Sequence, residues 1–99
     1  METDLHSLFA RAASTAADYR DKVSGLPVQP RVDRAELTGG FGGPLPAGPT
    51  PAAEVLDQLV RAAEPGLVAT VGPRFFGFVI GGATPASTAA DMLAAGWDQ

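Results

Sequence analysis

The residues best suited to binding chemistry lie in one short stretch, residues 72–87, which reads GPRFFGFVIGGATPAS. Gly81 and Gly82 have no side chain, so each can take a positive φ and let the backbone approach a ligand closely. Thr84 and Pro85 predict the start of a helix, whose free N–H groups attract negative charge. An aromatic wall, a glycine floor and a helix N-terminus together indicate a site for a small, partly anionic molecule.

A structural role explains the same stretch equally simply. Phe75, Phe76 and Phe78 can fill a core, while the glycines that follow them form a turn. In an arbitrary domain of this size, large apolar side chains are more often core residues than ligand contacts. The residues themselves leave both interpretations open.

Catalytic and metal chemistry find few residues to work with. His6 is the only histidine, so one copy of the chain cannot form a Ser-His-Asp triad or a histidine metal site. Lys22 is the only lysine, and it lies among charges at a predicted helix end, where nothing desolvates it for Schiff-base chemistry. Asp91 either pairs with a basic residue such as Arg74 or faces solvent. The sequence therefore predicts no catalytic, cofactor-binding or metal-binding residue in this chain.

Composition limits the classes of protein to consider. The 99 residues make at most one domain, and the net charge of -4 argues against nucleic acid and anionic membranes as partners. No apolar run approaches the roughly 20 residues that span a bilayer, and the acidic N-terminus is not a secretory signal. The absence of cysteine fits a reducing compartment. We therefore expect a cytoplasmic protein.

Periodicity and capping signals predict a mainly α chain of three helices. The segments are a helix over about 3–22 capped by Thr3 or Asp4, a Pro/Gly-rich arm over 23–50 without regular structure, a helix over about 51–64 with Thr50 as N-cap, an extended motif over 72–83 and a helix over about 85–97. On the first helix, Arg20 and its charged neighbours are predicted to face away from the apolar stripe. The arm holds six of the nine prolines if Pro51 is included, and it is easiest to understand as a strap across another surface. The last helix shows no C-cap signal, so we expect the chain to stop before its domain does.

Several motifs, taken in order, resemble one enzyme family. The segment PRFFGFVIGGATPASTAADMLAAGWDQ looks like the N-terminal signature of the group II pyridoxal-phosphate-dependent decarboxylases, which include aromatic amino acid and glutamate decarboxylases. YRD at residues 19–21, PVQP at 27–30 and GPLP at 43–46 precede it in family order. The resemblance covers nearly all 99 residues, and its most specific part is residues 72–99.

The resemblance implies an N-terminal segment of a fold-type I α/β enzyme that works as a homodimer, with pyridoxal 5'-phosphate as cofactor and an amino acid as substrate. It places Phe78, Val79, Ile80 and Gly81 along the substrate side-chain pocket. Val-Ile-Gly-Gly differs from the Phe-Pro-Thr version of the aromatic amino acid decarboxylases, which leaves the substrate's identity open.

The family's catalytic and cofactor-binding residues lie in a large domain beyond residue 99. The resemblance therefore implies that this chain lacks the catalytic domain, does not hold the cofactor stably and is inactive alone. Two alternatives stay open: a free-standing helical segment for interaction or dimerisation, and a fragment of an aminotransferase-like relative that uses the same cofactor.

Overall fold

The computed structural model of the chain describes residues 4–99. In this range the chain forms four α-helices and no β-strand, so the predicted mainly α class is confirmed. The helices are α1 (Leu5–Lys22), α2 (Arg34–Gly39), α3 (Ala52–Ala63) and α4 (Pro85–Trp97), and short 3-10 turns follow α1 (Val23–Gly25) and α3 (Glu64–Gly66). Membership of an α/β enzyme of fold-type I remains a prediction.

Helix α1 begins at an aspartate cap. The Asp4 side chain accepts hydrogen bonds from the backbone N–H groups of His6 (3.1 Å) and Ser7 (3.4 Å), and the Ser7 hydroxyl donates to it over 2.6 Å. These bonds satisfy N–H groups that have no partner within the helix. Asp4 is thus the cap, and the other candidate, Thr3, lies outside the described residues.

The start of α3 differs from the prediction. Pro51, not Thr50, occupies the N-cap position, with φ −55° and ψ 137°, and no side chain caps the helix. The Val55 N–H donates to the Pro51 carbonyl over 3.1 Å, which closes the first turn. A proline ring fixes φ at a value that helix and extended chain share, so the residue type alone does not decide on which side of the boundary it lies.

The arm over 23–50 was predicted to lack regular structure, and this was wrong, because it contains helix α2. Asp33 caps α2 by accepting a hydrogen bond from the Glu36 N–H over 2.7 Å. The helix packs close to the end of α3: a Cβ on Gly66 would lie 2.5 Å from Leu37 Cδ1, and one on Gly40 would lie 3.3 Å from Ala62 Cβ. These tertiary contacts hold six residues helical that would not form a stable helix alone.

Helix α4 is capped at both ends. Thr84 accepts from the Ser87 N–H over 3.1 Å at its start, and Pro85 takes the first helical position. At its end Asp98 adopts the left-handed conformation, so that its N–H reaches the Ala95 carbonyl and the Gln99 N–H reaches the carbonyl one residue earlier, both over 3.2 Å. This is a Schellman motif. The expected lack of a C-cap was wrong because aspartate tolerates the conformation that glycine usually takes there.

The buried interior is very small. Across residues 4–99 only Val23 and Ala69 are buried, where the Ala69 N–H donates to the Val28 carbonyl over 3.0 Å and Gly72 lies against Val23. The chain exposes 7755 Å² with a radius of gyration of 15.6 Å. A compact monomer of 10.1 kDa exposes about 5300 Å² and has a radius near 13 Å. The helices therefore form an open frame with much apolar surface in solvent.

Candidate functional site

The residues predicted to edge a pocket lie in one tight turn. The Ile80 N–H donates to the Gly77 carbonyl over 3.0 Å, and Phe78 and Val79 between them have φ values of 50° and 56°. Two successive positive φ angles closed by this bond define a type I′ turn, which normally takes Asn-Gly. The positive φ expected of the glycine pair occurs at Gly82 (95°), while the other two positive angles fall on residues with bulky side chains.

The turn projects apolar side chains into solvent. Phe76 and Phe78 are 90% and 89% exposed, and Val79 is fully exposed. Only Phe75 is half-buried, and its ring stacks on that of Phe78 with centroids 6.3 Å apart and an interplanar angle of 17°. Of the two interpretations left open, the core role therefore does not hold for Phe76 and Phe78 in this chain, because both side chains lie in solvent.

Phe78, Val79, Ile80 and Gly81 are brought together but not enclosed. A Cβ built on Gly81 would find nothing within 4 Å, and Ile80 is 43% exposed. Four shallow cavities are lined by other residues, between α1, the 3-10 turn after α3 and the arm, or along α4. These four residues therefore form an open surface, and their role in a substrate pocket stays a prediction.

Arg20 ties α1 to the segment that follows the turn. Its guanidinium donates to the Ala83 carbonyl over 2.6 Å and to the Thr88 hydroxyl over 3.0 Å, so it fixes the entry to α4. The prediction that Arg20 faces away from the apolar stripe was wrong. Its position three and four residues after Ala17 and Ala16 places it on the helix face that borders α4, and this spacing could have revealed it.

Beside Arg20 lies a shallow apolar groove between α1 and α4. Its volume is about 350 Å³, and it is lined mainly by small side chains. The lining residues are Ala13, Ala16, Ala17, Arg20, Asp21, Pro85, Thr88, Ala89 and Met92. Small residues leave the two helices without interlocking side chains, so the groove stays open.

The alternatives left open for Arg74 and Asp91 are resolved in part. The Arg74 guanidinium donates to the Leu26 carbonyl, joining residues on either side of α2 and α3 in the chain. Asp91 borders a shallow cavity along α4 with Ser87 and Ala94. A pairing of Arg74 with Asp91 is not observed among the described residues.

The Asp4 carboxyl has a pKa that its role as a helix cap explains. Hydrogen bonds from the Ser7 hydroxyl, the Ser7 N–H and the His6 N–H hold the pKa of the Asp4 carboxyl below its ordinary value of 3.8, with desolvation opposing them. That shift follows from helix capping. Within residues 4–99, no group of three His, Cys, Asp or Glu side chains is placed to hold a metal ion.

Pyridoxal phosphate does not fit the residues present. Lys22 is exposed at the end of α1 and borders a cleft that faces α3, together with Val60 and Arg61. A Schiff-base lysine needs a desolvated site, and this cleft is open to solvent; the cation Arg61 lines it, but so does the carboxylate of Glu64. Among residues 4–99, the surroundings of Lys22 therefore do not fit a Schiff base with this cofactor.

Comparison with known proteins leaves the family undetermined. No family model, no curated protein and no solved structure matches the chain. Along residues 4–99, no helix combines the length and the apolar character needed to cross a bilayer. The motifs and the geometry of the exposed turn are therefore the features that bear on function.

Proposed function

We propose that the chain is the N-terminal segment of a pyridoxal-phosphate-dependent amino acid decarboxylase, where it contributes subunit interface and one edge of the substrate pocket. The proposal rests on the order of the motifs that resemble this family. The geometry adds an exposed apolar surface at residues 77–80, which a second surface would have to cover to form a pocket. Catalysis itself is assigned to residues outside this chain.

The structural observation that supports the proposal is the exposed turn at residues 77–80. It gathers Phe78, Val79 and Ile80 directly before a capped helix whose entry Arg20 fixes by two hydrogen bonds. Large apolar side chains in water are unfavourable, by about 25 cal/mol for each Å² that a partner could cover. A turn of this composition is therefore suited to border an apolar pocket that a second surface completes.

The extent of exposed surface supports an interface role. The chain exposes about 2500 Å² more than a compact monomer of its mass. Obligate interfaces bury about 2000–5000 Å² in total over both partners, so the surplus is of the size that one partner contributes. Exposed large side chains occur on three of the four helices, including Phe9 on α1, Leu59 on α3 and Trp97 on α4.

The first test is the reading frame and its product. We expect the frame to continue past the Gln99 codon into a domain with a lysine that follows a histidine, and the whole product to release CO2 from an amino acid when supplied with pyridoxal phosphate. Absence of such a frame, or a product that binds the cofactor without decarboxylating any amino acid, contradicts the proposal.

The second test addresses the edge residues in that product. Val79→Ala and Ile80→Ala should change kcat/KM by about tenfold and alter the preference among substrate side chains, because an apolar pocket discriminates by about 1–3 kcal/mol per methylene. Leu45→Ala is the matched control, since Leu45 is 93% exposed on the arm, far along the chain from the turn. Equal effects of all three variants would contradict the assignment of the pocket edge.

Mixing the 99-residue chain with pyridoxal phosphate separates the roles further. We expect no stable absorbance band from a lysine adduct, because Lys22 is exposed and lies in an open cleft. A strong band that Lys22→Arg abolishes would contradict the proposal that catalysis resides outside this chain.

A free-standing interaction segment is the second candidate function, and the small interior favours it. With only Val23 and Ala69 buried in the described range, the helices have more apolar surface than the chain covers itself. If the reading frame ends at Gln99 and the chain still associates with itself in solution, this candidate replaces the first. The alternative of an aminotransferase-like parent would show as transamination, without CO2 release, by the whole product.

A further inference from the structure

The turn at residues 77–80 holds two residues in a conformation that their side chains disfavour. Phe78 and Val79 have φ angles of 50° and 56°, and a β-branched residue such as Val79 is a clear outlier in this left-handed region. Each left-handed residue that is not glycine lowers the population of a conformer by about 5- to 30-fold. Strained residues persist when packing fixes them, yet these two side chains are in solvent.

Two local contacts oppose the strain. One is the hydrogen bond from the Ile80 N–H to the Gly77 carbonyl at 3.0 Å, and the other is the stacking of Phe75 on Phe78. Each contact raises the population of the turn by about 2- to 13-fold. The combined gain from the two contacts therefore overlaps the combined loss from the two left-handed residues. These magnitudes are therefore compatible with comparable populations of the turn and a relaxed conformer.

The sequence defines the relaxed conformer. Phe, Val and Ile favour extended backbone, and apart from the Ile80 N–H no backbone N–H from Phe76 to Ala83 donates to a backbone carbonyl in this part of the structure. Extended chain would send Phe78 and Ile80 to one face and Val79 to the other, separating Phe78 from Phe75. The apolar surface would then have a different shape.

We propose that residues 77–80 are a two-state element in which the strained turn exchanges with an extended conformer of comparable population. The exchange sets which apolar side chains are presented together. Any partner or ligand that contacts Phe78 and Ile80 on one face binds the extended conformer. Its apparent affinity is the intrinsic affinity multiplied by the fraction of chains that are extended. This property belongs to the chain itself and holds whether or not the proposed enzyme function is correct.

Solution NMR of the isotopically labelled 99-residue chain tests the exchange directly. The three-bond HN–Hα couplings of Phe78 and Val79, the intraresidue HN–Hα NOEs and the temperature dependence of the Ile80 amide shift together report the ratio of turn to extended chain. We expect intermediate values for all three. A wild-type chain with only left-handed values, or with only extended values, overturns the proposal.

Matched substitutions at position 79 separate strain from side-chain loss. Val79→Gly removes the cost of a positive φ and should raise the turn-to-extended ratio by about 5- to 30-fold. Val79→Ala removes nearly the same side chain but keeps a Cβ, so the ratio should change by less than about 3-fold. Phe75→Leu removes the stacking and should lower the ratio by about 2- to 13-fold.

The outcomes are distinguishable from loss of fold. Val79 is fully exposed, so amide shifts in α1 and α3 should stay unchanged in both variants at that position. Equal effects of Val79→Gly and Val79→Ala overturn the proposal, since backbone strain would then not drive the equilibrium. If Phe75→Leu perturbs the helices, the wild-type couplings and the two variants at position 79 still test the two-state proposal.

Discussion

Arg20 shows how much one side chain can organise in a chain with little core. Its guanidinium bonds join α1 to groups 63 and 68 residues further along the sequence, and they involve a charged donor in a partly buried position. Hydrogen bonds to a charged group are worth more than neutral ones.

The ion pair between Arg11 and Asp57 is an exposed contact, with both side chains about half in solvent. Surface pairs of this kind contribute little.

We expect Arg20→Ala to lower the free energy of unfolding by about 1–3 kcal/mol, because it removes both bonds that dock the start of α4 on α1. Arg11→Ala is the matched control and should cost about 0–1 kcal/mol. Urea denaturation followed by Trp97 fluorescence and by far-ultraviolet circular dichroism measures both variants. A larger loss from Arg11→Ala than from Arg20→Ala would contradict this ranking.

The pH dependence of α1 follows from its cap. The pKa of Asp4 is lower in the folded chain than its ordinary value of 3.8, so capping by the carboxylate is fully present above that value and is lost as the pH falls below it through the folded pKa. Circular dichroism should therefore show α1 fraying on acidification below about pH 4.

Asp4→Asn is the control for this titration. Asparagine caps helices about as well as aspartate but does not ionise, so the part of the acid transition that belongs to Asp4 should disappear while helicity at neutral pH is kept. An unchanged acid transition in this variant would show that other carboxylates control the helix.

At the scale of the elements, α2 illustrates stabilisation by tertiary contact. Leu37 lies so close to Gly66 that the glycine cannot carry even a methyl group without a shift of the leucine. The six-residue helix and the 3-10 turn after α3 thus depend on each other. Gly48, on the open part of the arm, has nothing within 4 Å of the same position.

Gly66→Ala should lower the free energy of unfolding by about 1 kcal/mol, at the low end of overpacking costs because the end of the Leu37 side chain can rotate away. Gly48→Ala should be neutral or slightly stabilising. Denaturant titration measures both variants. In a Leu37→Ala background, Gly66→Ala should lower the free energy of unfolding by less than it does in the wild-type chain, because the leucine that the new methyl group meets is gone. If the two glycine variants behave alike, α2 does not pack on this turn as described.

How far the sequence predicts these elements depends on where their information lies. Local signals suffice for the Asp4 and Thr84 caps, because each side chain accepts from a backbone N–H two or three residues away, and apolar periodicity suffices for the three longer helices. Helix α2 escapes prediction because contacts more than twenty residues distant hold it. The type I′ turn escapes because Phe-Val is the reverse of the residue preference that defines it. The sequence places the four residues of the proposed pocket edge next to one another, but it does not predict that Phe78 and Val79 lie in solvent.

At the scale of the whole molecule, the open frame should behave unlike a compact domain of 99 residues. Exposed large side chains on α1, α3 and α4 face water, and the buried interior of the described range amounts to two residues. We expect strong binding of the dye ANS and a concentration-dependent mass by light scattering coupled to size exclusion. Leu59→Lys should reduce both signals, whereas Arg61→Lys, two positions away on α3 and charge-conserving, should not. A monomer whose mass does not change with concentration and that binds no dye would contradict the interface role.

The N–H groups of residues 76–79 make no backbone hydrogen bond in the part of the chain that the structure describes, and this affects how the protein can be handled. Residues 75–80 read FFGFVI, a short run with high β-propensity, no charge and no proline. Such a segment with unpaired N–H groups can stack with identical segments of other chains into cross-β fibrils. The extended conformer would be the one that seeds such fibrils. Conditions that favour the turn should therefore delay fibril growth, and a lysine at position 79 should suppress it.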